Sequence, residues 1–228
     1  MNPIIVALDG LTIPKALDLA RRLEGKVAAF KINDLFARGG PGIAGSIGCF
    51  GDVMLDLKLY DIPNTVSNIC QAVKAWENGT GEKVKILTVH AHGGQEMMRE
   101  ACIQLPGRIA AVTVLTSFKD DGHYKNLTGT QRTIPEQVKE LAQFAYCSGC
   151  SYVVCSAHEL SVLKDVKIKK IVPGIRPAWH QKADDQKRVM TPKQAMDAGA
   201  DFLVIGRPIV EAADPVGAAE QTLKELGV

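Results

Sequence analysis

The apolar run that starts at Val53 contains an aspartate and a lysine two residues apart, Leu55-Asp56-Leu57-Lys58-Leu59, and Asp61 follows in the next turn. A charged pair inside an apolar strand needs a partner or a function, because an isolated buried charge is expensive. Two further charges hold similar places. Asp9 follows the run Ile4–Leu8, and Lys31 lies in the run Val27–Ile32. Strand side chains alternate, so Ile5, Ala7 and Asp9 share one side of the first run and Met54, Asp56 and Lys58 one side of the third. If those sides face a common axis, four charges of alternating sign meet at one mouth. One such charge alone would be read as the start of a solvated loop. Three neighbouring runs ending this way point to a site.

A second cluster lies at the other end of the chain. The run Lys170–Val172 leads into Pro173-Gly174-Ile175-Arg176-Pro177, and Phe202–Ile205 leads into Gly206-Arg207. Glycines let backbone N–H groups approach a phosphate, and an arginine can pair with its oxygens. The polar connection from Arg176 to Val189, about 14 residues, is long enough to be expected to act as a lid.

These residues need elements to place them. Eight short apolar runs recur: Ile4–Leu8, Val27–Ile32, Val53–Leu57, Val84–Val89, Ile109–Leu115, Tyr152–Cys155, Lys170–Val172 and Phe202–Ile205. Most are β-branched and read as parallel strands buried on both faces. Helical patterns fill the gaps. Thr12 with Pro14, Pro63, Thr133 with Glu136, Thr191 with Pro192, and Asp214 with Pro215 mark their starts. Eight strands with crossovers predict an α/β chain folded as one (β/α)8 TIM-barrel domain over residues 1–228, with its active site at the C-terminal strand ends. Gly39–Gly48, with five glycines and one proline, predicts a short or broken helix.

Bulk composition excludes several classes. The 228 residues are 46% hydrophobic with net charge +2, enough for a buried core and too balanced for a nucleic-acid stripe. The basic run at Lys167–Lys170 reads as a solvated edge. No apolar stretch approaches the roughly 18 residues of a membrane span. The N-terminal segment lacks a basic region and a cleavage site, so a cytoplasmic protein is expected. Six cysteines include one C-x-x-C pair, Cys147 and Cys150, which lies before a strand and has no second pair to complete a zinc site. Reduced, structural cysteines are expected.

The block Leu55-Asp-Leu-Lys-Leu-Tyr-Asp-Ile-Pro-Asn-Thr65 resembles the D-x-K-x-x-D-I-P-N-T signature of the orotidine 5′-monophosphate decarboxylase family. Val6-Ala-Leu-Asp9, Val89-His-Ala-His-Gly-Gly94, Val112-Thr-Val-Leu-Thr-Ser117, Val172-Pro-Gly-Ile-Arg-Pro177, Asp185-Gln-Lys-Arg188 and Ile205-Gly-Arg-Pro208 extend the resemblance over nearly the whole chain, closest to the bacterial branch. It implies decarboxylation of orotidine 5′-monophosphate to uridine 5′-monophosphate, the last step of pyrimidine nucleotide synthesis, without metal or cofactor. Asp9 and Lys31 would hold the ribose, Asp56 would face the departing carboxylate, and Lys58 would give a proton to C6. Thr116, or else Ser117, would contact the pyrimidine. Gln186, Gly206 and Arg207 would take the phosphate, with Arg176 nearby. The family is a homodimer, and Asp61, Ile62 and Thr65 are implied binding residues, with Asp61 and Thr65 crossing from the second subunit. Neither nucleic acid nor membrane is an expected partner. The chain departs from the pattern at Asn33, where glycine is usual, at His92, where serine is common, and at Gly39–Gly48.

In that reading the anion formed at C6 is poorly delocalised, and an ammonium fixed by carboxylates can stabilise it without reorganising. Two rival readings remain. A metal-assisted decarboxylase or epimerase of similar barrel type would draw on His90 and His92, a weak site without carboxylate partners. A non-catalytic nucleotide-binding barrel would be marked by loss of Asp56, Lys58 or Asp61, all of which are present.

Overall fold

Eight parallel strands close on one another in chain order: β1 (Ile4–Ala7), β2 (Ala29–Ile32), β3 (Val53–Leu59), β4 (Val84–His90), β5 (Ile109–Val112), β6 (Tyr152–Val154), β7 (Lys169–Val172) and β8 (Phe202–Ile205), with β8 pairing back to β1. The structure is a computed structural model that describes residues 2–81, 84–118, 120–180 and 190–227. Each strand falls on one of the expected runs. Two ends differ usefully. β5 stops at Val112, short of Leu115, and β3 continues to Leu59, so Lys58 lies within the strand.

Alternation sorts the strand side chains into two layers. Ile5, Ala29, Met54, Ile86, Ala110, Ile171 and Val204 pack inside the barrel. Ile4, Val6, Phe30, Val53, Leu55, Leu87 and Leu203 face outward into the larger core beneath the helices. Closure leaves the strands buried on both faces, which explains why their runs are apolar throughout.

The helices are α1 (Ile13–Arg22), α2 (Asp34–Gly48), α3 (Pro63–Thr80), α4 (Gly94–Gln104), α5 (Asp121–Thr128), α6 (Ile134–Cys147), α7 (Pro192–Asp197), α8 (Arg207–Val210) and α9 (Pro215–Leu226). Prolines stand in the first turn of α1, α3, α6, α7 and α9, where the missing N–H has no intrahelical acceptor to lose. Thr133 with Glu136 forms the expected capping box, and Thr191 with Gln194 forms another. The connection after β6 is a 3-10 stretch, Ala157–Leu163. At the N-terminal end of the barrel, Glu77 of α3 accepts from both terminal nitrogens of Arg108, at 2.6 and 3.0 Å, and from Val84 N. That clamp ties α3 to the starts of β4 and β5, opposite the mouth.

All six cysteines are free thiols. Cys147 is exposed and Cys150 is buried, with the Cys150 sulfur 3.7 Å from that of Cys102 rather than facing Cys147. Among the described residues no helix is long and apolar enough to cross a membrane.

The glycine-rich segment is helical but broken, as its composition implies. Gly40, at φ 59° and ψ −154°, interrupts α2 just before Pro41. Only glycine adopts that conformation cheaply. A Cβ at Gly40 or at Gly42 would meet nothing within 4 Å, so the two positions differ in backbone demand and not in crowding. Gly40→Ala is expected to cost about 1–3 kcal/mol. Gly42→Ala, in the helical arm, should be neutral or stabilising by up to about 1 kcal/mol. Urea unfolding of both variants checks the contrast.

Candidate active site

Asp56, Lys31 and Asp9 come together where β1, β2 and β3 end. Met54 lies in the barrel interior, and Asp56 stands two residues further along the same side. Ala7 pairs with Lys31 across β1 and β2, and Lys31 with Met54 across β2 and β3. The charges therefore form a layer above the apolar interior. Asp56 Oδ2 accepts from Lys58 Nζ at 2.8 Å and lies 3.2 Å from Lys31 Nζ. Lys31 Nζ also donates to Asp9 Oδ2. The sequence thus runs carboxylate, ammonium, carboxylate, ammonium from Asp9 to Lys58.

Burial makes this alternation necessary. Asp56 is 6% exposed and Lys31 9%. Desolvation alone would drive the Asp56 carboxyl up, but Lys31 and then Lys58, helped by hydrogen bonds, hold it below its ordinary value. Desolvation likewise opposes the Lys31 ammonium, and the charges of Asp56 and Asp9 outweigh it, leaving its pKa raised. Removing one member of such a set typically costs about 3–5 kcal/mol, because the remaining charge is left uncompensated.

β3 is irregular at this point. Leu55 pairs with Leu87 and Leu59 with Val89, so four steps along β3 match two along β4. The extra residues form a bulge that carries Asp56 and Lys58, and bulges of this kind re-aim side chains. Lys58 has a φ of 49°, which no other non-glycine among the described residues shares in sign. Two residues whose contacts the sequence reading did not foresee touch the bulge. Thr88 of β4 donates its hydroxyl to Asp56 Oδ1 at 2.9 Å and accepts from Lys58 N at 2.8 Å. Asn33, read only as a departure in a turn, donates its side-chain amide to the Asp56 carbonyl at 2.6 Å. Thr88 reads as an ordinary strand residue in sequence, and Asn33's partner lies on a different strand.

These residues open into a cavity of about 660 Å3, inside the range of roughly 300–1,000 Å3 usual for small-molecule sites. Asp9, Lys31, Asp56 and Lys58 line one part, Thr116 another, and Gly174, Arg176, Gly206 and Arg207 a third. Gly174 has φ 78°, a left-handed turn that suits glycine. Thr116 lines the cavity and Ser117 does not. In the single chain Asp61, Ile62 and Thr65 do not line it either. Asp61 and Ile62 are exposed in the turn after β3, with Ile62 65% accessible, and Thr65 sits in the first turn of α3. Gln186 and most of the expected lid lie outside the described residues. The ends of that connection meet: Ile175 bridges to Met190, and Arg176 N donates to Met190 O at 3.0 Å.

His90 and His92 face each other, Nδ1 to Nδ1 at 3.3 Å, and His92 Nε2 lies 2.9 Å from the Tyr124 hydroxyl. Among the described residues, no three His, Cys, Asp or Glu side chains gather as a metal-binding group. Burial first, then His92 and Lys58, push His90 down to about 4.

A charged layer and a glycine–arginine pocket sharing one cavity at the C-terminal strand ends define a (β/α)8 barrel with the layout of a small-molecule enzyme. The orotidine 5′-phosphate decarboxylase / HUMPS family model matches residues 2–222, and the chain belongs to that family. It is 40% identical to an orotidine 5′-phosphate decarboxylase of Paramagnetospirillum magneticum, each covered in full. It is 42% identical to one of Wolbachia pipientis subsp. Culex pipiens, with 99% of each covered. The crystal structure of the Lactobacillus acidophilus orotidine 5′-phosphate decarboxylase superposes with a TM-score of 0.82 at 32% identity, over 100% of both chains.

The depressed His90 has a measurable effect. Between about pH 6.5 and 4 the unfolded chain takes up a proton at residue 90 that the folded chain refuses, so stability falls as pH falls through that window. His90→Gln removes this contribution. Urea midpoints at pH 7 and pH 4.5 are expected to fall further for the wild type than for the variant.

Proposed function

We propose that the protein decarboxylates orotidine 5′-monophosphate to uridine 5′-monophosphate and CO2, the closing step of pyrimidine nucleotide synthesis, with Lys58 as proton donor. The observation that carries this reading is that Asp56, bonded to both Lys31 and Lys58, lines the same cavity as Gly206 and Arg207. The curated relatives that share the whole chain length are named for this reaction.

The phosphate would bind at Gly206 and Arg207, with Arg176 and Gln186 beside it, and the ribose hydroxyls at Asp9 and Lys31. The pyrimidine would lie against Thr116, with C6 directed at Lys58. The bond from C6 to the carboxylate breaks, and its electron pair stays on C6. Lys58 Nζ gives a proton to that carbon as CO2 leaves, and then regains one from water. An ammonium already held by Asp56 stabilises the developing anion without rearranging. Repulsion between Asp56 and the substrate carboxylate adds a smaller contribution by raising the ground state. Phosphate binding far from C6 supplies energy for positioning.

The test is turnover of orotidylate by the pure protein, followed by loss of its ultraviolet absorbance, with and without EDTA. Activity that survives EDTA is expected; activity abolished by EDTA and restored by a divalent metal would overturn the cofactor-free reading. Lys58→Ala should lose nearly all turnover yet still bind uridine 5′-monophosphate. Retention of more than about a tenth of wild-type kcat would refute the donor assignment, since it represents a loss of only ~1.4 kcal/mol. Arg207→Ala should lower kcat/KM sharply, because it removes a phosphate contact whose binding energy serves positioning.

The active unit would be a homodimer, with Asp61 and Thr65 of each copy completing the other's site and Ile62 beside them. Tyr60 and Ile62 are 67% and 65% exposed beside Asp61, which fits a covered face. Ile62→Asp is expected to shift sedimentation toward the monomer and to lower activity with it. A wild type that sediments as a monomer while fully active would reject this assembly.

A further inference from the structure

The bulge in β3 creates a backbone problem that Thr88 solves. In a regular parallel sheet, Lys58 N–H would donate to a main-chain carbonyl of a neighbouring strand. Four residues of β3 opposite two of β4 break that ladder. The orphaned N–H goes instead to the Thr88 hydroxyl, 2.8 Å away. The same oxygen donates its own proton to Asp56 Oδ1 at 2.9 Å. A threonine hydroxyl has one proton to give and lone pairs to accept with, so both bonds can exist together. Thr88 is wholly buried, and no water competes for either bond.

We propose that Thr88 is a positioning residue whose one hydroxyl cross-links the two reactive residues, Asp56 through its carboxylate and Lys58 through its main chain. This rests on the decarboxylase reading. With Oδ1 occupied by Thr88, the carboxylate is fixed in rotation and presents Oδ2 to Lys58 and Lys31. With Lys58 N held, the positive-φ turn that aims the lysine keeps its shape. Losing the hydroxyl frees both motions at once. The predicted damage is to the alignment of Nζ with C6, and hence to kcat, while the phosphate and ribose contacts that set affinity stay in place.

Thr88→Val keeps the side-chain shape and removes both hydrogen bonds. A kcat loss of about 10- to 100-fold is expected, the scale of an ångström-level misplacement. KM and the affinity for uridine 5′-monophosphate should change by less than about threefold. Thr88→Ser, which keeps the hydroxyl, should retain kcat within about threefold of the wild type. Product affinity reports that the fold and cavity are intact. If T88V does not fold, Thr88→Cys, small and weakly hydrogen-bonding, takes its place with the same expected split. Unimpaired kcat in T88V beside an active wild type would overturn the inference alone. So would a T88S protein as slow as T88V, which would assign the effect to packing of the methyl group. A wild type inert toward orotidylate would overturn the functional reading and this inference with it.

Discussion

One carboxylate oxygen, Asp56 Oδ2, lies within reach of two ammonium groups, and the mouth of this barrel is organised around that contact. None of these charges could be buried there alone. Lys31 is tolerated because Asp56 and Asp9 flank it, and Asp56 because Lys31 and Lys58 do. The set requires three strands that lie side by side and deliver one charge each, or two in the case of β3, at about the same height. Parallel pairing of β1, β2 and β3 in chain order supplies that arrangement.

Barrel closure supplies the rest. The charged layer comes from the first 58 residues of the chain and the glycine–arginine pocket from its last quarter. They share a cavity because β8 pairs with β1. The opposite end carries the Glu77–Arg108 clamp, which holds strand starts and helix together without approaching the cavity. Rigidity is thus placed at one end and chemistry at the other, the division of labour common to this fold.

Much of this was readable from residue types and their spacing. Asp9, Lys31, Asp56 and Lys58 could be placed because strand alternation is local and strict. Gly206 and Arg207 could be placed because they immediately follow a clear apolar run. Thr88 was not readable, since a threonine within Ile86-Leu-Thr-Val89 is what any buried strand contains. Its importance comes from a bulge in the neighbouring strand, and no sequence period announces a bulge. Asn33 was visible as an exception, but its partner is a carbonyl on β3. The irregular pairing at the end of β3 was missed for a related reason. Pairing through the irregularity at Leu59 is decided by β4, not by residues 58 and 59 themselves.

The positive φ of Lys58 sets a backbone cost against an ion pair with a buried carboxylate at a single position. A left-handed backbone costs an ordinary side chain about 1–2 kcal/mol relative to glycine. Removing the Lys58 ammonium would cost more, because it would leave the buried Asp56 carboxylate short of a partner, so breeding this protein for heat resistance alone would keep the lysine. A lysine surviving many rounds of such breeding would mean that its ammonium repays the backbone cost in the folded state without any substrate present.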